Sequence, residues 1–322
     1  MSKVPVPHLP GSDVSVPRAP ESDRIAPAGA PMHSGTIAIA GRPNVGKSTL
    51  LNRLVGAKLS ITSRKAQTTR HRILGVRTDA NAQYVFLDTP GFQTKHRNAL
   101  NKAMNRAVTD ALASADVAMV VVDAVGWRAE DEAVIALLPQ GHPAVLVINK
   151  ADRVKNQAEL LALAERASKL ADFAAIVPVS AKTGKNEEML LAALAQHLPL
   201  GVPMYEADTL TDRPERFLAA ELIREKVFRL SGEEIPYGCE VMIDKFELDG
   251  KLRRILATIL VDRPGHKSIL VGSGGEKMKR IGTEARQDME QLFGGKVFLE
   301  LWVKVKGGWA DNASMLRTLG YQ

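Results

Sequence analysis

One stretch of eight residues combines the residue types that hold a polyphosphate. It reads G-R-P-N-V-G-K-S and follows residues 37–40, a short apolar run that suits a buried strand. Gly41 and Gly46 permit the backbone torsions that turn successive N–H groups inward around phosphates. We expect Lys47 to reach the β and γ phosphates and Ser48 to place its hydroxyl on Mg²⁺ at the start of the next helix. The predicted phosphate-binding residues are Gly41, Arg42, Pro43, Asn44, Val45, Gly46, Lys47 and Ser48.

A second motif, D-T-P-G, closes a later predicted strand and suits the same ligand. Asp88 is placed to hold Mg²⁺ through water, and the N–H of Gly91 can meet the γ-phosphate. The pattern D-x-x-G is weak when it stands alone, and its position after the phosphate loop gives it weight. The predicted binding residues here are Asp88, Thr89, Pro90, Gly91 and Phe92.

Two more motifs at strand ends, N-K-A-D and S-A-K, indicate a guanine base. Asp152 can accept from the ring N–H and the exocyclic amine of guanine, a donor pair that adenine lacks. We expect Asn149 to brace the loop, Lys150 to lie along the base, and the Ala181 N–H to meet guanine O6. An isolated N-K-x-D would be read as an Asx turn. The predicted base-binding residues are Asn149, Lys150, Ala151, Asp152, Ser180, Ala181 and Lys182.

Hydrolysis is predicted to depend on Lys47, Asn44, Thr69 and Gly91. Thr68 or Thr69 could complete the Mg²⁺ shell only when a γ-phosphate is present, so residues 59–72, here called the switch segment, would order with GTP and relax with GDP. We favour Thr69, because the family pattern discussed below places T-R at this point. Phe92 stands where Ras-type proteins carry the glutamine that orients the attacking water. We therefore expect K⁺, held near Asn44, to supply a positive charge. The predicted metal ligands are Ser48, Thr69 and Asp88.

Length and composition limit the possible classes of protein. A chain of 322 residues with 45% apolar residues predicts two packed domains. Cys239, the single cysteine, excludes a disulfide framework and fits a buried position in a reducing compartment. The sequence contains no run of about 18 apolar residues, so we expect no membrane span. Residues 1–34 contain seven prolines and predict a disordered extension.

The formal charge of +7 is unevenly distributed. Residues 49–78 hold seven basic residues and no acid, so this stretch either forms a solvated face or meets an anion. Residues 59–71 are polar without period, which predicts a surface segment. The seven basic residues are Arg53, Lys58, Arg64, Lys65, Arg70, Arg72 and Arg77.

Strands and helices alternate up to residue 200, which predicts a mostly parallel α/β sheet with helices on both faces, as in a P-loop GTPase. After a proline-rich break, the predicted order helix-strand-strand-helix-helix-strand matches the α+β type II KH module. We predict an extension at 1–34, a GTPase domain at 35–200, a linker at 201–213, a KH domain at 214–308 and a tail helix at 309–322.

Within the second domain, the turn Gly-Ser-Gly-Gly joins two predicted helices and has the G-x-x-G form of a KH clamp for single-stranded RNA. A glycine turn between two helices is the competing interpretation. Trp309 could stack on a base, although a core or lid position fits its type better. The predicted RNA-binding residues are Lys267, Gly272, Ser273, Gly274, Gly275, Lys277, Lys279 and Arg280.

Taken together, the phosphate loop, S-R-K-A-Q-T-T-R-H-R, D-T-P-G, N-K-A-D, S-A-K and V-G-S-G-G-E-K-M-K-R-I-G resemble the bacterial Era GTPases. The resemblance covers about residues 36–321. It implies a GTP-hydrolysing assembly factor of the small (30S) ribosomal subunit that grips the 3′ end of 16S rRNA. It also implies a cytoplasmic monomer with a fraction associated peripherally with the inner membrane.

Two alternatives belong to different classes. One is an RNA-binding regulatory module whose G domain hydrolyses GTP slowly, and the other is a membrane-associated signalling GTPase. Multiple-turnover phosphate release stimulated by RNA distinguishes the first alternative from an assembly GTPase.

Overall fold

Apolar runs in the first two hundred residues form the strands of a single sheet. The computed structural model describes residues 31–63, 65, 67–93, 99–232, 235–309, 312, 315, 316 and 319. The strand order is β2-β3-β1-β4-β5-β6, in which β2 runs antiparallel to β3 and the other neighbours in this order are parallel. The strands are β1 (Met32–Ala40), β2 (Ile73–Thr78), β3 (Ala82–Asp88), β4 (Val117–Asp123), β5 (Ala144–Asn149), β6 (Ala175–Pro178) and the short β7 (Leu200–Gly201), which pairs with β1.

Helices cover both faces of this sheet, as alternating buried strands require. One core cluster joins α1 and α5 to the sheet, and a second joins α2 and α3 to the opposite face. The predicted P-loop GTPase architecture with a mostly parallel sheet is confirmed. The helices are α1 (Lys47–Val55), α2 (Ala99–Ser114), α3 (Ala129–Ile135), α4 (Gln157–Ser168) and α5 (Glu187–Ala195).

The second domain packs two long helices against a three-stranded sheet of order β10-β9-β8. Here β9 pairs antiparallel with β8 and parallel with β10. This is the predicted KH-type arrangement. None of the helices in the described ranges is both long and apolar enough to cross a membrane. The elements are α6 (Glu215–Leu230), β8 (Cys239–Asp249), β9 (Leu252–Val261), α7 (Pro264–Val271), α8 (Glu276–Phe293) and β10 (Lys296–Val305).

The structure differs from the predicted boundaries at the start of the chain. Strand β1 begins at Met32, so the last residues of the predicted extension belong to the sheet, and residues 1–30 lie outside the described ranges. Met32 pairs with Gly201 and His33 with Leu200 in β7. Backbone pairing between segments far apart in sequence therefore extends the GTPase domain into residues whose composition predicts disorder.

The switch segment is not the surface segment that its polarity predicts. Leu59 and Ile61 are buried, and so are Thr69 and Arg70. The segment lies between the two domains, where side chains of α6 and β8 contact it. Several of its described polar groups therefore have protein partners, which allows the segment to be buried.

Candidate nucleotide and nucleic-acid sites

The phosphate loop follows β1, and Lys47 at the start of α1 reaches back across it. Its ammonium donates to the carbonyl of Gly41 at 3.0 Å and of Arg42 at 3.1 Å. Burial lowers the pKa of Lys47 to about 8. Gly46 has φ 101°, and a Cβ there would lie 2.3 Å from Asn149 Nδ2, so this position requires glycine.

Three side-chain oxygens predicted as metal ligands lie together beside this loop. Ser48 Oγ is 2.7 Å from Thr69 Oγ1 and donates to Asp88 Oδ2 at 2.9 Å. Asp88 is fully buried at the end of β3, and burial raises the pKa of its carboxyl. Its Oδ1 has no hydrogen-bond partner within the described part of the chain. Ser60, which the sequence did not single out, also donates to Oδ2 at 2.8 Å.

The predicted base-binding loops are tied to the phosphate loop through one side chain. Asn149 donates to the carbonyl of Val45 at 2.8 Å, and its Oδ1 accepts from the N–H of Ala181 at 3.0 Å, so it braces the loop as predicted. The Ala181 N–H that was expected to meet guanine O6 therefore has a partner inside the protein. Lys150 donates to the carbonyl of Asn44 and to Asp123, while Asp152 is exposed.

Two predicted nucleotide residues have side chains directed elsewhere. Arg42 is buried and donates to Asp131 at 3.0 Å, so its guanidinium braces α3 and does not face the loop interior. Phe92 packs against the second core cluster, and its N–H donates to the carbonyl of Gly41 at 3.2 Å. A Cβ on Gly91 would lie 2.8 Å from Pro43, so the D-T-P-G motif lies directly against the phosphate loop.

Helix α6 of the second domain places a buried carboxylate against the switch segment. Glu225 accepts from the backbone N–H of Thr62 at 3.0 Å and from the Lys58 ammonium at 2.6 Å. Burial alone would raise the pKa of Glu225, but these hydrogen bonds and the charge of Lys58 lower it. Lys58 also bonds Asp288 of α8 at 2.6 Å. Lys58 thus links the nucleotide domain to α6 through Glu225 and to α8, the helix that follows the glycine turn, through Asp288.

A second set of buried charges joins the other end of the segment to β8. Arg70 donates to the carbonyl of Cys239 at 2.7 Å and to Glu240 at 3.0 Å. Arg224 donates to the carbonyl of Thr68 at 2.6 Å. Cys239 itself is fully buried, and burial raises the pKa of its thiol to about 12, which confirms its predicted core position.

Most of the basic run of residues 49–78 is bound within the protein. Arg53 and Arg77 both pair with Glu187. The ammonium of Lys65 donates to the carbonyls of Ser231 and Gly232 at the end of α6. Of the described members, Arg72 alone is exposed with no carboxylate within 4.0 Å among the described residues. Arg64 lies outside the described residues.

The glycine turn of the second domain has the backbone that the G-x-x-G prediction requires. Gly272, Gly274 and Gly275 have φ of 74°, 57° and 81°, and Ser273 is exposed. A Cβ on Gly272 would lie 3.0 Å from that of Lys277. Three predicted RNA-binding residues line one groove together with Leu230 of α6: Lys277, Lys279 and Arg280. Lys267 is exposed on α7.

Trp309 occupies the junction of the two domains and is 1% exposed. Its indole N–H donates to the carbonyl of Gly238 at 3.2 Å, and the Arg70 guanidinium lies 5.4 Å from the ring. The ring packs with Leu100 and Met104 of α2. It is therefore a core residue, as its type suggested, and it is not available to stack on a base.

Comparisons with known proteins agree with this architecture. Residues 36–150 match the family model described as 50S ribosome-binding GTPase, and residues 234–310 match the KH domain model. The fold and the site define a P-loop GTPase joined to a C-terminal KH domain. GTPase Era of Chromobacterium violaceum is 52% identical to this chain over 290 residues, which is 90% of this chain and 98% of that protein. GTPase Era of Bordetella pertussis is 53% identical over 289 residues, with 90% and 98% covered. The chain belongs to the Era GTPase family, as the sequence motifs predicted.

Two solved structures share the whole two-domain arrangement with a TM-score of 0.87, at 40% identity over 90% of this chain and 99% of theirs. One is a variant of Aquifex aeolicus Era bound to GDP·AlF4⁻. The other is Era in complex with MgGDPNP and nucleotides 1506–1542 of 16S ribosomal RNA.

Proposed function

We propose that this protein hydrolyses GTP while assembling the small ribosomal subunit, and that it binds the 3′ end of 16S rRNA through its KH domain in a nucleotide-dependent way. The solved relative that holds both MgGDPNP and 16S rRNA supports the two ligands. The observation that carries the proposal is the direct contact of Glu225, on α6 of the KH domain, with Thr62 in the switch segment. Nucleotide and RNA sites connected in this way can influence each other's affinity.

The oxygen cluster fits Mg²⁺ bound together with GTP. Ser48, Thr69 and Asp88 offer hard oxygen donors, and the buried Oδ1 of Asp88 has no partner among the described residues, as expected of an atom that faces a ligand. When bound, Mg²⁺ neutralises charge on the β and γ phosphates. Lys47 would exchange its two carbonyl partners for phosphate oxygens, and Asp152 would accept from the guanine N–H groups.

The switch segment connects this chemistry to the second domain. A γ-phosphate that draws Thr69 into the metal shell would move its neighbours Thr68 and Arg70, which bond Arg224 and Glu240. The KH domain would then shift its position and open its groove to RNA. Hydrolysis would reverse the change, because GDP offers no γ-phosphate to hold the segment.

K⁺ is proposed to assist hydrolysis. Phe92 packs into the core and offers no group that could orient water, so another source of positive charge is needed near the phosphates. Asn44 is exposed at the rim of the nucleotide cleft. Turnover should be faster in potassium than in sodium buffer at equal ionic strength, and equal rates would exclude this role.

Thr69→Ala tests the switch. We expect GTP affinity to fall by about 5–30-fold, the equivalent of about 1–2 kcal/mol, with GDP affinity unchanged. Thr68→Ala is the matched control, because that hydroxyl donates to the carbonyl of Lys65 and not to the oxygen cluster. Equal losses for both nucleotides would show that Thr69 does not sense the γ-phosphate.

RNA-stimulated turnover tests the proposed function as a whole. Phosphate release should rise when RNA of the 16S 3′ end is added, and Lys47→Ala should abolish nucleotide binding and the nucleotide dependence of RNA binding. Ser273→Asp with Gly274→Asp places two negative charges in the glycine turn and should remove the stimulation without changing basal turnover. If RNA still stimulated GTP turnover in this double variant, the RNA site would not include the glycine turn. Negligible turnover with or without RNA would favour a regulatory RNA-binding module.

The proposed location is the cytoplasm, with a fraction bound peripherally at the inner membrane, and the proposed state is a monomer. Cell fractionation at low and high salt would test the first, because a peripheral fraction held by charge is released by salt. Light scattering of the GTP-loaded protein would test the second. A membrane fraction that resists salt together with no ribosomal fraction would favour a signalling GTPase.

A further inference from the structure

A cleft of about 530 Å³ lies where helix α2, the end of the switch segment and the interdomain linker meet. Four arginines from these three elements line it: Arg70 and Arg72 of the switch segment, Arg106 of α2 and Arg213 of the linker. Ala103 and Ala107, which are four residues apart on one face of α2, also line it. The nucleotide cleft is lined by different residues.

Two of these arginines are available to a ligand. Arg72 and Arg106 are exposed, and neither has a carboxylate within 4.0 Å in the ranges that the structure describes. Arg72 differs in this respect from Lys58 and Arg70, which form ion pairs with glutamates of the second domain. An Arg guanidinium that is not paired presents a planar fork suited to phosphate oxygens.

Arg213 is held in place by its neighbours. One of its amino groups donates to the carbonyl of Arg72, and the guanidinium lies 4.9 Å from the Phe217 ring. Asp212, at 3.7 Å, offsets part of its charge, and Asp110 adds a second carboxylate to the cleft wall. The two carboxylates therefore offset part of the arginine charge, and the cleft is only moderately basic.

We propose that this cleft is a second RNA-binding site, which takes the phosphodiester backbone of a strand that continues beyond the KH domain. The cleft adjoins that domain, because Arg70 forms part of its wall and donates to Cys239 and Glu240 at the start of β8. Arginines supplied by three separate elements suit successive phosphates of a polymer, whereas one phosphate needs a single fork. The inference rests on the proposed RNA-binding function.

The test compares short and long single-stranded RNA on the full chain loaded with a non-hydrolysable GTP analogue. An oligomer of about six nucleotides covers the roughly four that a KH turn clamps, and one of about twenty can reach further. For Arg72→Gln with Arg106→Gln, the long RNA should bind about tenfold more weakly. The slope of log affinity against log salt concentration should become less steep by about 1.4. Each phosphate contact to a single strand contributes about 0.7 to this slope, and the variant loses two such contacts. The short RNA should bind as before.

Matched variants separate this site from a general charge effect. Lys155→Gln with Lys169→Gln removes two exposed cations elsewhere on the GTPase domain and should leave both affinities unchanged. Asp110→Asn removes a carboxylate from the cleft and should strengthen binding of the long RNA about two- to threefold, an effect that a folding defect cannot produce. The melting temperature of each variant verifies the fold.

Three outcomes would overturn the proposal: an unchanged long-RNA affinity in the arginine variant, an equal loss for both RNA lengths, or an equal loss in the lysine control. A fourth is displacement of the long RNA by tripolyphosphate at matched ionic strength, which would make the cleft a small-anion site. Failure of the native chain to bind the short RNA would contradict the proposed KH function. Binding of the short RNA with no gain from length would contradict this second site alone.

Discussion

At the scale of single residues, the nucleotide site keeps two opposite charges out of water. Lys47 is buried and bonded to two carbonyls of its own loop, and Asp88 is buried with one oxygen that lacks a partner among the described residues. Burial shifts the pKa of Lys47 down and that of Asp88 up, and both shifts disfavour the charged forms. Bound phosphate would stabilise the charged form of Lys47, and bound Mg²⁺ would stabilise the charged form of Asp88. We therefore expect these two side chains to contribute much of the nucleotide affinity.

The first prediction follows from the pKa of Lys47, which burial lowers to about 8 in the free protein. Phosphate oxygens bind the protonated form, so affinity should be nearly constant below pH 8. Above it, each further pH unit should weaken affinity up to about tenfold, because the bound state must regain the proton. Titration calorimetry near pH 9 should show proton uptake as a dependence of the enthalpy on the buffer. Binding without proton uptake would contradict this role of Lys47.

At the scale of the element, helix α6 shows how one segment can serve two domains. Its apolar residues, such as Leu222 and Phe228, belong to the core of the KH domain. Its charged residues Glu221, Arg224 and Glu225 are also buried, which is rare for such side chains on a helix of a single domain. They face the switch segment and are paired there or with one another. A helix with both faces buried cannot move without breaking these bonds.

The second prediction concerns the link from the GTPase domain to α6 and α8. Lys58→Met should lower the free energy of unfolding by about 1–3 kcal/mol, because it removes a partner from the buried Glu225 and from Asp288. Urea unfolding of the nucleotide-free protein measures this change. Lys169→Met, an exposed substitution on the same domain, is the control. The RNA affinities of the GTP-bound and GDP-bound protein should differ less in Lys58→Met than in the native chain. An unchanged difference in affinity would show that the coupling between the nucleotide and RNA sites does not depend on Lys58.

At the scale of the whole molecule, the two domains share a junction core that belongs to neither alone. Trp309 follows the last strand of the KH domain and packs against Leu100 and Met104 of α2 in the GTPase domain. Arg70 of the switch segment lies over the same ring. Gln67, also in that segment, donates to Asn101 of α2 at 2.9 Å. These contacts hold the domains in one relative position in this structure.

The third prediction tests that junction. Trp309→Ala should destabilise the protein by about 3–5 kcal/mol, because it removes a buried aromatic side chain. Trp302→Ala is the matched control, since that indole is 45% exposed on β10 and should change stability by less than about 1 kcal/mol. Thermal unfolding should also split into two transitions in Trp309→Ala if the junction makes the domains unfold together. A single transition with little change in stability would show that the junction contributes little.

Much of the fold and of the nucleotide site could be predicted from the sequence, because their signals are local. The predicted order helix-strand-strand-helix-helix-strand of the second domain is the order of α6, β8, β9, α7, α8 and β10. Motifs at the carboxyl ends of parallel strands must meet at one edge of the sheet, so Ser48 and Asp88 could be expected to lie together. Ser60, which completes that cluster, has no motif to identify it.

The sequence by itself determined the two domain types, the phosphate and base loops, and the glycine turn, since each depends on residues close together along the chain. Only the tertiary structure decided where the charges of the switch segment lie. Lys58 and Arg70 look like solvated or anion-binding residues until the folded chain sets Glu225 and Glu240 beside them. Arg72 and Arg106 are 34 positions apart and look unrelated until the fold places them along one cleft. Residues so far apart in sequence leave no local sequence pattern that would reveal their contact. The electrostatic energy of a charged side chain depends on its neighbours in space, and only the folded structure shows these neighbours.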